Sequence, residues 1–167
     1  MADYKYDLLV IGAGPSGEAA AMAAAKQEMR VGVVVDSGLV GGNCTHKGTI
    51  PSKALRHAVK QCILSNSQPV FRYMGLSKPL SYPQVLEAAS QVIPKQVEQH
   101  LAYLNKNRVQ VHNGWAKFIN EHEVEVEGSH GLKDVIYADN ILIATGSRPY
   151  LPEDIDFSHP RVYNSDS

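Results

Sequence analysis

The composition of the chain excludes several classes of protein. Its 167 residues include only two cysteines, Cys44 and Cys62, which is too few for the disulfide framework of a small secreted domain. A reducing, cytoplasmic setting is therefore expected. Neither sign of charge dominates, because 16 Lys and Arg stand against 17 Asp and Glu and leave a net charge of −1. This balance gives no indication of a nucleic-acid or anionic-membrane partner.

Neither a membrane span nor a metal site is indicated. Residues 8–25 are almost uncharged and reach the lower length limit of a spanning helix, about 17 residues. Glycines, a proline and a glutamate interrupt this stretch, so a strand, a turn and a helix explain it better. The seven histidines and the two cysteines lack the His-x3-His and Cys-x2-Cys spacings that metal sites use. We therefore expect no membrane partner and no metal.

The N-terminal residues predict an α/β fold. The apolar share of 44% and the charged share of 20% are typical of a globular domain. Tyr6–Ile11 is a short apolar run typical of a buried parallel strand, and the alanine-rich residues 15–28 favour a helix. Val31–Val35 is β-branched apart from one glycine. Strand, helix and strand within about 30 residues form a βαβ unit, which requires a parallel sheet.

Helices are predicted for the middle of the chain. Residues 37–49 form a glycine-rich loop, and residues 51–65 a helix. One face of that helix is apolar and includes Leu55, Val59, Cys62 and Ile63, so Cys62 is expected to be a buried, inert thiol. After an irregular segment over residues 69–82, a second long helix covers residues 83–105, and Pro94 should kink or divide it.

The C-terminal part predicts a change to β-structure. From Val109 to Tyr137, apolar residues alternate with polar ones, which favours short strands in an antiparallel layer. Residues 140–144 predict a further buried strand. The last residues carry three prolines and show no clear periodicity.

The turn between the first strand and the first helix fits the pattern G-x-G-x-x-G. Its glycines are Gly12, Gly14 and Gly17, with Pro15 and Ser16 between them. The first glycine permits the tight turn, the second lets a pyrophosphate approach the backbone, and the third lets helix and strand pack closely. Glycine turns are common, but the flanking strands and helix give this one the context of a dinucleotide-binding site.

An acid stands at the end of the second strand, as such a site requires. Asp36 lies 19 residues after Gly17, and its carboxylate can accept hydrogen bonds from ribose hydroxyls. It would also repel a 2′-phosphate, which disfavours NADP at this position. Because FAD and NAD both present an adenosine ribose, these residues alone leave both cofactors open.

Residues 41–53, Gly-Gly-Asn-Cys-Thr-His-Lys-Gly-Thr-Ile-Pro-Ser-Lys, resemble the redox-motif region of the pyridine nucleotide–disulfide oxidoreductase family. That family has two cysteines here, separated by four residues. Cys44 occupies the first position, but Thr49 occupies the second. The family's disulfide therefore cannot form, and one thiol cannot store two electrons as a dithiol. Disulfide-substrate chemistry is not expected.

The resemblance extends from Tyr6 to Ser167. It implies a Rossmann-like FAD-binding domain with a parallel sheet and a small antiparallel β layer. With Thr49 in the second position, the chain is similar to family members that exchange hydride between NADPH and NAD through FAD. Lys53 would be the catalytic residue, placed near flavin N5 where a cation can stabilise the reduced, anionic flavin.

The resemblance also assigns cofactor-binding residues. The FAD pyrophosphate would be contacted by Gly12, Gly14, Pro15 and Ser16, with Gly17 behind them, and the adenosine ribose by Asp36. The flavin would be lined by Gly42, Asn43, Cys44 and Lys53. The adenine would meet Ala116, and the remaining cofactor edge would lie beside Thr145 and Gly146.

The chain carries only one G-x-G-x-x-G motif. We therefore interpret residues 1–167 as the N-terminal part of an FAD-binding domain, without the NAD(P)-binding and dimerisation domains. The fragment is expected to be inactive alone, and its parent to be a homo-oligomer. Two alternatives are another family member, such as a dihydrolipoamide dehydrogenase that lost its second cysteine, and a non-catalytic nucleotide-binding module.

Overall fold

A computed structural model describes residues 5–36, 38–75, 81–164 and Asp166. Ser37 and residues 76–80, which belong to the two predicted irregular segments, lie outside the described residues. Six strands and six helices are formed within them, in this order: β1 Tyr6–Ile11, α1 Pro15–Ala25, β2 Val31–Val35, α2 Gly42–His46, α3 Thr49–Ser67, α4 Pro69–Tyr73, α5 Tyr82–Ser90, α6 Val92–Lys106, β3 Gln110–Asn113, β4 Trp115–Phe118, β5 Glu123–Glu127 and β6 Lys133–Ile143.

The strands follow the spatial order β3-β2-β1-β6-β5-β4. The four strands β3, β2, β1 and β6 are parallel where they pair, with Val10 opposite Val33 on one side and Leu142 on the other. The strands β4, β5 and β6 pair antiparallel. A parallel sheet joined to a small antiparallel layer confirms the predicted fold class.

Strand β6 belongs to both parts of the structure. Its first half, Lys133 to Tyr137, pairs antiparallel with β5, and its second half pairs parallel with β1 from Ala138 onward. The prediction of two separate strands here was wrong, because one 11-residue strand crosses from one layer to the other. The expectation that residues 140–144 are buried was also wrong in part, since Ile143 is 66% exposed.

The prediction that residue 109 opens the antiparallel layer was wrong as well. β3 pairs parallel with β2, with Val111 opposite Val33, and so extends the parallel sheet. Alternation of apolar residues indicates which face of a strand is buried, but not the direction of its neighbour.

Two apolar cores cover the two faces of the parallel sheet. One packs α1 and α6 against it and includes Val10, Ala21, Val33 and Leu104. The other lies between the parallel strands and the antiparallel layer and includes Leu9, Val34, Val124 and Ile136. Alternate side chains of β1 and β2 enter opposite cores, so these two strands contribute to both cores.

The helical region differs from its prediction at three points. The five-residue helix α2 lies inside the predicted glycine-rich loop, and α4 inside the predicted irregular segment. The expected apolar face of α3 is not buried: α3 has no buried residue, its Ile63 is 63% exposed, and Cys62 is only half-buried. The predicted division near Pro94 is confirmed, because α5 ends at Ser90 and α6 begins at Val92.

Helix α1 ends at Ala25 rather than at residue 28, because Glu28 adopts a left-handed conformation with φ 63°. Within the described ranges, every helix is too short or too polar to cross a bilayer.

Candidate functional site

The carboxyl ends of the four parallel strands converge on one cavity. Gly12, Asp36, Gly114 and Ala144 each follow the last residue of β1, β2, β3 and β6, respectively. All four line a cavity of about 990 Å³. Parallel strands end at the same edge of a sheet, and in open α/β sheets ligands bind outside that edge. The topology alone therefore brings together residues that are more than 130 positions apart.

Backbone hydrogen bonds fix the floor of this cavity. The Gly12 N–H donates to Val34 O at 2.7 Å, and the Gly114 N–H donates to Val35 O at 2.9 Å. The Ala144 N–H donates to the carbonyl of Ile11 at 2.8 Å. The sheet pairing thus continues one residue beyond the strands, so the floor has the rigidity of the sheet.

The three motif glycines have different surroundings. A Cβ atom on Gly12 would collide with the backbone of Ala144, and one on Gly17 with the carbonyl of Gly12. Gly12 also has φ 109°, a conformation that side chains rarely allow. At Gly14 the nearest atom to such a Cβ is Gly42 Cα, 3.9 Å away. Gly12 and Gly17 therefore serve the packing of the turn, whereas Gly14 presents bare backbone to the cavity.

The N-terminus of α1 is open to a ligand. Gly14 caps the helix without a side-chain hydrogen bond, and the Glu18 N–H donates to Gly14 O at 2.9 Å as the helix begins. The N–H groups of Ser16 and Gly17 precede that bond, at the positively polarised end of the helix. Gly14, Pro15 and Ser16 line the cavity. This geometry suits a phosphate group.

Helix α2 forms the wall opposite this turn. Gly41 and Gly42 have φ of 86° and 62°, and the Gly41 N–H donates to Ala13 O at 2.8 Å. Gly42 lies directly over Gly14, since a Cβ on Gly42 would come within 2.8 Å of Gly14 Cα. The two glycines let the chain cross the turn in close contact, and α2 follows at once.

The first turn of α2 is tied to the segment after β6. Asn43 Nδ2 donates to the carbonyl of Ser147 at 3.2 Å. Cys44 is an exposed free thiol, and it lines the cavity together with Thr145 and Gly146.

Most of the predicted site residues surround this cavity, and two do not. The residues that line it are Gly12, Gly14, Pro15, Ser16, Asp36, Gly42, Asn43, Cys44, Ala116, Thr145 and Gly146. Gly17 is buried behind the turn, as expected from its packing role. Lys53 is exposed on α3 and does not line the cavity. Its catalytic role stays a prediction.

Part of the lining was not predicted from the sequence. Leu39, Lys47, Asn164 and Asp166 also face the cavity, and Lys47 Nζ lies 3.7 Å from Asp166 Oδ2. The irregular C-terminal segment therefore returns to the redox-motif region. No local pattern indicates this return, because the segment has neither helical nor strand periodicity.

The described residues provide no metal centre. The described His, Cys, Asp and Glu side chains include no group of three or more that could hold a metal ion. Besides backbone and small residues, the cavity wall includes large apolar side chains, such as Leu39, Trp115 and Leu151, and charges of both signs.

Comparison with known proteins agrees with this arrangement. A family model described as pyridine nucleotide-disulphide oxidoreductase matches residues 6–165. The chain belongs to this family. It is 57% identical over 167 residues to the soluble pyridine nucleotide transhydrogenase of Hahella chejuensis and 53% identical to that of Marinobacter nauticus. In both cases the match covers 100% of this chain and 36% of the relative.

Solved structures share this fold. The HOCl-induced flavoprotein disulfide reductase RclA from Escherichia coli is 26% identical, with a TM-score of 0.76. The match covers 96% of this chain and 33% of RclA. The chain therefore spans about a third of the length of the family members that it resembles.

Proposed function

We propose that the cavity binds FAD, with the pyrophosphate on the turn that contains Gly14. The observation that carries this proposal is the bare backbone of Gly14 at the uncapped start of α1. The residues fit the group, because the turn offers N–H donors and a positive dipole end to the phosphates. The cavity volume of about 990 Å³ is at the upper end of ligand sites, which is suitable for an extended dinucleotide.

The rest of the cofactor would follow the strand ends. Asp36, at the end of β2, would accept hydrogen bonds from the adenosine ribose, and Ala116 would lie at the adenine. Gly42, Asn43 and Cys44, with Thr145 and Gly146, would line the flavin end. These positions lie on the same cavity, which supports the assignment.

We further propose that the protein exchanges hydride between NADPH and NAD. Bound FAD supplies the hydride-carrying chemistry, and this chain's residues bind and orient it. Thr49 stands where the family's second redox cysteine would be, and the relatives with 51–57% identity carry the name of transhydrogenase. Lys53 is proposed to act near the flavin.

The proposal extends to the organisation of the protein. Residues 1–167 would form the N-terminal part of the FAD-binding domain, with NAD(P)-binding and dimerisation domains in a longer parent. A homo-oligomer is supported by the exposed apolar side chains of α3 and α4, among them Ile63 at 63% and Val70 at 61% exposure. A cytoplasmic location is supported by the two free cysteines.

A chimera tests this function directly. This chain would replace the aligned 167 residues of the Hahella chejuensis relative, with that relative as the control. We expect a yellow protein that transfers hydride from NADPH to thio-NAD and does not reduce lipoamide or glutathione disulfide. The isolated chain with added FAD should show no turnover, because hydride transfer needs the nicotinamide held about 3–3.5 Å from the flavin and only one dinucleotide motif is present.

Two outcomes would contradict the proposal. Reduction of lipoamide by the chimera at rates comparable with hydride exchange would favour a disulfide reductase such as dihydrolipoamide dehydrogenase. A folded chimera without flavin would favour a nucleotide-binding module without catalysis.

A further inference from the structure

Three side chains from three helices meet behind the wall of the cavity. Glu18 belongs to the first turn of α1, Thr45 to α2 and His100 to α6. None of them lines the cavity, but Glu18 follows the phosphate turn and Thr45 is adjacent to Cys44. The group therefore touches both walls of the site from behind.

Thr45 is a buried polar residue, only 1% exposed. Its Oγ1 lies 3.3 Å from Nε2 of His100. A buried hydroxyl without a partner is costly, so this contact ties α2 to α6. Gly41 leaves room for it, because a Cβ on Gly41 would collide with the Thr45 side chain and come within 2.9 Å of His100 Cδ2.

The other ring nitrogen of His100 faces a carboxylate. Nδ1 lies 2.6 Å from Oε2 of Glu18, and the two side chains are 23% and 17% exposed. The separation is that of an ion pair, although the N–H direction does not meet hydrogen-bond geometry. One ring nitrogen of His100 therefore lies against Glu18 and the other against the Thr45 hydroxyl, which can donate to or accept from it.

We propose that His100 is a positioning residue for the nucleotide cavity, because its bridge from Glu18 to Thr45 holds α2 against the phosphate turn. The bridge acts beside the place where Gly42 crosses Gly14 in close contact, so a small displacement of α2 changes the width of the cavity there. This inference rests on the proposed FAD site. His100 itself does not line the cavity.

The test measures FAD affinity and the position of α2 separately. FAD titrations, followed by flavin fluorescence, would compare wild type with His100→Ala, His100→Gln, Thr45→Val and Glu18→Gln. Alkylation of Cys44 by iodoacetamide, in a Cys62→Ser background without FAD, reports on α2 alone. Gln99→Ala, an exposed neighbour on the same helix, is the matched control.

His100→Ala removes the contacts with both Glu18 and Thr45 and should weaken FAD binding about tenfold, whereas Thr45→Val removes one contact and should weaken it about threefold. Both variants should speed the alkylation of Cys44. His100→Gln should recover most of the affinity, because an amide can donate to Glu18 and accept from Thr45. Thermal unfolding of each variant checks that it is folded.

Wild type and bridge variants with equal FAD dissociation constants would overturn the inference, whatever the alkylation rates. Failure of His100→Gln to recover affinity would also overturn it. Absence of FAD binding in wild type would instead contradict the proposed function. In that case the alkylation rates still decide whether His100 holds α2: faster rates in His100→Ala support the bridge, and unchanged rates contradict it.

Discussion

The most tightly packed and the most loosely packed helices of the chain lie close together in sequence. The strand-end region that forms the cavity rests on two apolar cores, and Leu104 of α6 is 1% exposed there. The helices α3 and α4 have no buried residue, and α5 buries only Val85 and Ala89. The cavity therefore depends on the sheet, α1, α2 and α6, whereas α3 to α5 form an appendage with much of its apolar surface exposed.

This difference separates apolar residues that stabilise the fold from apolar residues that stay exposed to solvent. Apolar side chains on α6 fill the space over the parallel sheet and contribute to its stability. Those on α3 have the same helical periodicity but meet solvent. A similar pattern in sequence thus has different energetic consequences, because burial depends on what lies opposite each helix.

Truncation of one apolar side chain in each region should give the largest contrast in the free energy of unfolding. Leu104→Ala should lower the free energy of unfolding by about 2–5 kcal/mol, because it leaves a cavity in the core. Ile63→Ala, on exposed α3, should change it by no more than about 0.5 kcal/mol. Urea unfolding followed by circular dichroism measures both. Equal losses would show that α3 is packed as tightly as α6.

A smaller expected effect is a loss of stability at low pH that originates in the sheet region. Burial, and then the charge of Lys5, lowers the pKa of His112, and Asp134 partly opposes this shift. Tyr6 Oη lies 2.6 Å from its Nε2. The unfolded chain, with an ordinary histidine pKa near 6.5, binds more protons in this range, so stability should fall as the pH drops below about 6.5.

His112→Gln should reduce this loss, and unfolding midpoints between pH 7.5 and pH 5 would measure it. The sensitivity belongs to the sheet, because His112 lies on β3 beside the core. An unaltered pH dependence in the variant would assign the acid sensitivity to other groups.

The cavity was largely predictable because its first part is local. Gly12, Gly14 and Gly17 lie within six residues, and strand, turn and helix follow from the same short stretch. Asp36 was found because a strand end after a βαβ unit must lie beside that turn. The cysteine region, in contrast, required a resemblance, since no periodicity indicates helix α2.

Long-range pairing explains what could not be predicted. Two halves of β6 have different partners, and the sequence between them contains no turn signal. The direction of β3 is set by the α6 crossover, which alternation does not reveal. The bridge of Glu18, Thr45 and His100 joins positions up to 82 residues apart, and each of its members has an ordinary helical setting when considered alone.

The central claim is that the carboxyl ends of the parallel strands form an FAD site, and an FAD titration of wild type against Asp36→Ala tests it most directly. Loss of charge-assisted hydrogen bonds to the ribose should weaken binding about ten- to hundredfold. The control is Asp154→Ala, an exposed acid in a C-terminal turn that does not line the cavity. Saturable binding by wild type and by the control, with this loss in Asp36→Ala, is the predicted result. Equal dissociation constants for all three proteins would contradict the account, because Asp36 would then be an ordinary solvated acid at the end of β2.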